Sequence, residues 1–319
     1  MLVTGDRIGD ALLKWPAIVG LKSRLPRCHL TWIAGRRASV FCGPFSNLAR
    51  GTIDETKDLA SIGVSWKELL RSAPSLNADI VISTEPKLRN AILDKRIPCK
   101  RFISPAAGYM FSDRKPSANE SAPSSVVERL KLLFELAIQD TIVLEHHVAV
   151  EEVLLNQAQE ILGRSSNLIG FSPGAGGISK RWPLDRFIAV AAAQESKGRV
   201  AAFFLGPDEE FMLSEIRGSL PQAVFPEYDH NFQRLGGPML SIALATLMNV
   251  SVANDAGGGH LLAAGGKPLV SLYGHTSAEK FRPRYGPHRS ISASDFGAKT
   301  MNSIPVNSVI EAVDQMYSA

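Results

Sequence analysis

The chain is poor in the features of a secreted or membrane-spanning protein. It has three cysteines in 319 residues. Cys28, Cys42 and Cys99 are odd in number and lack metal-ligand spacing, which excludes a disulfide framework and predicts buried free thiols. No apolar run reaches the roughly 18–20 residues that a membrane span needs. The opening Met1-Leu2-Val3-Thr4-Gly5-Asp6 has neither the basic region nor the long apolar stretch of a signal peptide. A cytoplasmic chain is therefore expected. Cations are not interleaved with aromatics in any compact motif, so nucleic acid is not an expected partner. The strand ends of the second half carry no Asp-x-Asp pair and no His/Asp/Glu cluster at ligand spacing, so no metal and no cofactor is expected.

What is present is an ordinary globular balance, 45% hydrophobic and 21% charged, over a length that suits two domains. The net charge of +4 is unevenly spread. Residues 1–115 hold 19 Lys/Arg against 10 Asp/Glu, whereas residues 116–319 hold 16 against 21. Either the first half has a solvated basic surface, or it meets an acidic partner such as a phosphorylated glycolipid or an anionic membrane face.

Short apolar runs alternate with helical patterns along the whole chain. The first half predicts strands at its start and over 30–34, 80–83 and 101–103, with helices over 10–24 and 65–71. The second half predicts strands over 168–172, 200–205, 250–253 and 269–272. Its helices are expected over 150–162, 184–197, after Glu209 and over 239–248. Strands separated by helices imply right-handed βαβ units and parallel sheets covered on both faces. Two such series argue for two doubly wound, Rossmann-like α/β domains, 1–150 and 151–319, with a Ser/Pro/Ala-rich loop over 117–125.

Three segments carry chemistry. In Thr4-Gly5-Asp6-Arg7-Ile8-Gly9-Asp10 a strand turns into a helix, and such turns lie at the ligand-binding edge of an open sheet. Asp10 is there either a helix cap or a general base. A third glycine at dinucleotide spacing is missing, which disfavours NAD. In Phe171-Ser172-Pro173-Gly174-Ala175-Gly176-Gly177-Ile178-Ser179-Lys180-Arg181-Trp182-Pro183 a strand enters a glycine-rich loop followed by two cations. That is either a flexible turn or a phosphate site built from backbone N–H groups and Lys180. The Gly-Lys-Ser/Thr ending of a P-loop is absent. In Asn254-Asp255-Ala256-Gly257-Gly258-Gly259-His260 a strand again ends in glycines that open a helix, where free N–H groups and the helix dipole favour a diphosphate. His260 is expected to touch the ligand, Asp255 to orient the loop or face substrate, and Tyr273 to Ser277 to add hydroxyls to the same rim. Two anion sites in one domain and a carboxylate in a basic partner domain together suggest group transfer from a nucleotide diphosphate donor.

Gly9-Asp10 with Pro16, Lys180-Arg181-Trp182-Pro183, and Asp255-x-Gly257-x-x-His260 together resemble the marker motifs of glycosyltransferase family 9, the lipopolysaccharide heptosyltransferases. The resemblance implies a GT-B fold of two Rossmann-like domains facing a central cleft, an ADP-heptose donor, inversion at the anomeric carbon and no metal. It implies Asp10 as general base. It implies Lys180 as the phosphate-binding lysine, Asp255, Gly257 and His260 as the donor loop, and Glu209, or alternatively Glu210, at the ribose; the glycine-rich segments themselves add Ser172, Gly174, Ala256, Gly258 and Gly259 to the expected donor-binding residues. It also places an acceptor-side loop over Tyr109 to Lys115. The first domain would then bind an acidic glycolipid acceptor through Arg36, Arg37 and Arg114, with peripheral contact at the inner membrane face, and the second would bind the nucleotide sugar. The chain departs from the family at Ala256, where a Thr or Ser is usual, at Gly258, where a bulkier residue is usual, and at His275 and Ala278, where prolines are common. A sugar-nucleotide epimerase and a non-catalytic sugar-nucleotide-binding protein are the rival readings.

Overall fold

A computed structural model describes all residues except 1, 5, 6, 36, 37, 59–61, 63, 64, 73, 74, 118–122, 164, 165, 230–236, 318 and 319. The chain divides into two compact units, Met1–Glu145 and His146–Ala319.

The first unit holds a five-stranded sheet of β1 (Leu2–Thr4), β2 (Thr31–Ala34), β3 (Glu55–Lys57), β4 (Ala78–Ser83) and β5 (Cys99–Ile103), in the order β3-β2-β1-β4-β5. Every paired strand is parallel. Buried Trp32, Ile33, Val81 and Phe102 come from the central strands. β3 was not anticipated, because Glu55-Thr56-Lys57 has no apolar run. It is an edge strand, where charge is tolerated and blocks further pairing. The long helix Ile8–Arg24 follows β1 and contains Pro16. The Pro16 carbonyl accepts from Glu145 N at 3.1 Å. One turn on, a Cβ at Gly20 would collide with the Val143 carbonyl, so the small residue lets the segment before the second unit cross this helix closely. The helix Val126–Ile138 was also unanticipated; its buried Val127, Leu130, Phe134 and Ala137 follow helical spacing. The helix expected over 65–71 is a 3₁₀ helix, Trp66–Leu70.

The second unit repeats the plan with β6 (Leu168–Ser172), β7 (Val200–Phe203), β8 (Val250–Asn254), β9 (Leu269–Tyr273) and β10 (His288–Ser292), ordered β10-β9-β8-β6-β7 and again all parallel. β6, β8 and β9 are buried at every residue, as a sheet covered on both faces requires. β10, His-Arg-Ser-Ile-Ser, is a polar edge strand that periodicity did not reveal. The helices Leu184–Glu195 and Val306–Tyr317 pack one face through Phe187, Val190, Val309 and Val313. The helix Gly257–Ala264 follows β8.

Strand order reverses between β1 and β4 in the first unit and between β6 and β8 in the second, and doubly wound sheets bind ligands at such points. The expectation of buried thiols fails: Cys42 is exposed and Cys28 and Cys99 are half-buried, all three free. No helix among the described residues is long and apolar enough to cross a membrane.

Candidate functional site

In the second unit the loops that leave β6, β7 and β8 converge. The β8 loop opens the helix Gly257–Ala264, whose preceding residue Ala256 is extended and offers no side-chain cap. A helix leaves its first N–H groups without intrahelical partners, and here no hydroxyl at position 256 competes for them. Gly258 and Gly259 are required by packing. A Cβ at Gly258 would collide with Ser172 Oγ, and one at Gly259 would lie 2.7 Å from the Asn254 carbonyl.

Lys180, at the end of the short 3₁₀ turn Ile178–Lys180, reaches across to the β8 loop. Its Nζ lies 3.1 Å from Asp255 Oδ2 and 3.4 Å from the Asp255 carbonyl. The Asp255 side chain is only 6% exposed, whereas that of Lys180 is 35% exposed. The carboxylate is thus a fixed counter-charge and the ammonium is the partner open to solvent. Arg181 turns the other way, donating from Nε to the Ala175 carbonyl at 2.9 Å, and so holds the glycine loop.

Glu209 completes the corner. It lies in the 3₁₀ turn Pro207–Met212 after β7. A Cβ at Gly174 would stand 2.6 Å from its carboxyl, and one at Gly206 would stand 2.8 Å from Oε2. The carboxylate thus rests against two glycine backbones. Burial raises its pKa from the ordinary glutamate value, the Arg181 charge opposes that, and Asp208 adds to it. Glu210, the alternative, is exposed.

Two residues that the sequence reading passed over hold this corner. Asn254, 1% exposed at the end of β8, donates from Nδ2 to the Pro173 carbonyl at 2.7 Å and accepts from Trp182 N at 3.2 Å. It joins both ends of the β6 loop to β8, and its signal was a lone amide ending an apolar strand. Glu227 lies beside Glu209 behind β7. Its Oε2 accepts from Leu205 N at 3.3 Å, and Tyr228 donates to the Gly206 carbonyl at 3.0 Å. Burial pushes the Glu227 carboxyl up to about 8, with backbone N–H groups opposing and Glu209 adding to the shift.

The expected rim of hydroxyls is corrected. Tyr273 is 1% exposed, because alternation along β9 turns 269, 271 and 273 to the face that helix Gly257–Ala264 covers. Its hydroxyl bonds inward with Ser271 and Ser290. Ser277 is occupied as a helix cap, accepting from Lys280 N at 3.3 Å. His260 is buried on the same side. Near it His288 bonds Ser271 at 2.9 Å and is held down to about 4 by burial, then by the Arg282 and His260 charges.

In the first unit Asp10 is the third residue of its helix, and its side chain is exposed. The residue that caps this helix is Arg7, without a side-chain bond, so Asp10 is not the N-cap. Arg36 and Arg37 lie outside the described residues. The segment expected to be the acceptor-side loop, Tyr109 to Lys115, is entered through three consecutive residues at positive φ, Ala107 (50°), Gly108 (62°) and Tyr109 (65°), a conformation costly for the two non-glycines. Asp113 then folds the chain back: its N donates to the Phe102 carbonyl at 2.8 Å and its Oδ2 accepts from Phe102 N at 2.7 Å. Arg114 therefore lies alongside β5, near Arg101, rather than beyond the strand's carboxyl end.

The family model for glycosyltransferase family 9 (heptosyltransferase) matches residues 66–304. The chain belongs to this family. It is 26% identical over 309 residues to lipooligosaccharide heptosyltransferase 2 of Haemophilus influenzae, covering 92% of this chain and 87% of that one. Among solved structures it resembles a glycosyl transferase family 9 protein of Veillonella parvula (TM-score 0.72, 19% identity, 99% of this chain and 96% of that one). It also resembles the E. coli ADP-heptose lps heptosyltransferase II (TM-score 0.70, 20% identity, 99% and 98%). The fold is GT-B and the protein is a glycosyltransferase of the heptosyltransferase family.

Proposed function

We propose that this glycosyltransferase moves heptose from ADP-heptose to an acidic glycolipid of the lipopolysaccharide core at a membrane face, with inversion and without a metal ion. The donor named for the E. coli enzyme is the starting point. The observation that carries the reading is the Lys180–Asp255 bridge between two glycine-rich strand ends, beside a helix N-terminus and the Glu209 carboxylate. In this reading the diphosphate meets the exposed Lys180 ammonium and the N–H groups of Gly257 to Gly259, while Glu209 accepts from the ribose hydroxyls. His260 backs the loop from its buried side. Asp10 removes the proton of an acceptor hydroxyl as that oxygen bonds to the anomeric carbon. The bond from that carbon to the diphosphate oxygen breaks, and ADP departs with the electron pair, its charge met by Lys180 and the amides. Arg36 and Arg37 are the acceptor-side cations, whereas Arg114, set back alongside β5, is left out of this reading.

A thermal-shift series with ADP, UDP and GDP sugars tests the donor. A ligand at about 100 times its dissociation constant stabilises by roughly 2.7 kcal/mol, and ADP-heptose is expected to give the largest shift. Transfer is then expected to survive EDTA. A larger shift with UDP or GDP sugars, or release of free heptose with no acceptor consumed, overturns the reading.

A further inference from the structure

The first unit holds large apolar side chains in water on one short element. The 3₁₀ helix Trp66–Leu70 exposes Trp66 at 51%, Leu69 at 48% and Leu70 at 89%. Side chains three apart eclipse in a 3₁₀ helix, so Trp66 and Leu69 share one edge and Lys67 and Leu70 the next. The helix is well tied. Ser65 and Glu68 form a capping box, with Glu68 Oε1 accepting from Ser65 N at 2.7 Å. Arg96 donates to the carbonyls of Glu68 and Arg71.

Neighbouring elements repeat this composition. Leu88, opening the helix Leu88–Asp94, is 46% exposed, and Met110, beyond β5, is 66% exposed. Arg96 follows that helix and binds the 3₁₀ helix, and Lys95 donates to the Phe111 carbonyl at 3.0 Å. The three elements are thus joined. Lys67, Arg71, Lys87 and Lys95 are all exposed among them. Residues 66–115 hold 10 Lys/Arg against 5 Asp/Glu, of which Asp94 is buried.

We propose that this surface, centred on Trp66–Leu70, docks the protein on an anionic lipid bilayer. Trp66, Leu69 and Leu70 enter the boundary between headgroups and acyl chains, where an indole has both an apolar and a polar neighbour. Lys67, Arg71, Lys87 and Lys95 meet the lipid phosphates. Apolar insertion and charge attraction are each marginal alone and sufficient together. The inference rests on the membrane-face part of the proposed function and assigns it a surface; its test stands apart from the transfer chemistry, because vesicle binding is measured without donor or acceptor.

The protein carries its own reporter. Of its four tryptophans, Trp15, Trp32 and Trp182 are buried at 3%, 0% and 1% exposure, leaving Trp66 in solvent. The full chain is titrated with vesicles of phosphatidylcholine, and of phosphatidylcholine with phosphatidylglycerol, while emission and co-sedimentation are followed. A blue shift is expected with the anionic vesicles alone, reversed by salt and absent in Trp66→Phe. Leu69→Ala with Leu70→Ala is expected to weaken partitioning about tenfold or more. Lys67→Gln and Arg71→Gln, a second pair that leaves the apolar residues in place, are expected to weaken it roughly fivefold per charge removed. Melting temperatures and transfer to a delipidated acceptor are expected to stay unchanged. The proposal is overturned by absence of binding to anionic vesicles, by equal binding to neutral ones, or by binding that neither variant pair weakens. A blue shift produced by delipidated acceptor without vesicles also overturns it, because Trp66 would then belong to the acceptor site.

Discussion

Ser172 Oγ occupies the space that a Cβ on Gly258 would take. The pair links the last residue of β6 to the helix N-terminus at the candidate donor loop. Gly258→Ala is expected to destabilise the protein by roughly 1–3 kcal/mol through overpacking. Adding Ser172→Ala should recover most of that loss, because the remaining neighbour, Ser172 Cβ, stands 3.3 Å from the new methyl group. Denaturant midpoints of both single variants and the double variant measure the coupling. Simple additivity would show that the two positions do not compete for this space.

Asp10 is exposed in the first turn of its helix and is not the cap. Asp10→Asn should therefore cost little stability, at most about 1 kcal/mol of dipole interaction. Transfer should fall by about 10²–10⁴-fold, with ADP affinity unchanged. Turnover assays and calorimetric titration on the same preparation separate these effects. Near-normal turnover would remove Asp10 from the mechanism.

Lys180 is the solvent-facing member of its ion pair with Asp255. Lys180→Ala is expected to weaken ADP binding far more than adenosine binding, because the contact is to phosphate. Its stability cost should exceed the roughly 0–1 kcal/mol of an exposed ion pair, because the substitution leaves the Asp255 carboxylate, 6% exposed, without its cation. Equal weakening of both ligands would place Lys180 away from the diphosphate.

Two buried acids make stability depend on pH. Burial raises Glu227 from 4.5 to about 8, and Asp94 from 3.8 to about 7 despite the 2.6 Å hydrogen bond donated by Ser83. For a raised acid the folded state holds the proton, so the stabilisation is complete below the unfolded pKa and is lost as pH climbs through the folded one. Melting temperature should therefore decline from about pH 4 to about pH 8, these two groups being the cause. Glu227→Gln, which mimics the protonated acid, should flatten the upper part of that decline. An unchanged slope in this variant would mean that Glu227 ionises freely in the folded protein.

Much of this was legible in the residues. The strands β6, β8 and β9 announced themselves because a sheet covered on both faces needs unbroken apolar runs. The glycine clusters after β6 and β8 marked the places where backbone must approach something closely. β3 and β10 were illegible, because edge strands carry charge and have no periodicity to find. The same limit hid Asn254, whose role is to satisfy backbone groups 81 and 72 residues away.

By itself the sequence determined the architecture, since alternating short apolar runs and amphipathic helices can bury their apolar faces only in wound parallel sheets. It also determined which loops could meet an anion. Only the tertiary structure decided which side chains those loops present. It rested the Glu209 carboxylate against Gly174 and Gly206 and left Glu210 exposed. It turned the Tyr273 hydroxyl inward and gave Lys180 to Asp255. The physical reason is that a side chain's partner is set by which strand lies beside it in the sheet. Here β8 inserts next to β6 across more than 75 residues of chain, a separation no local pattern encodes.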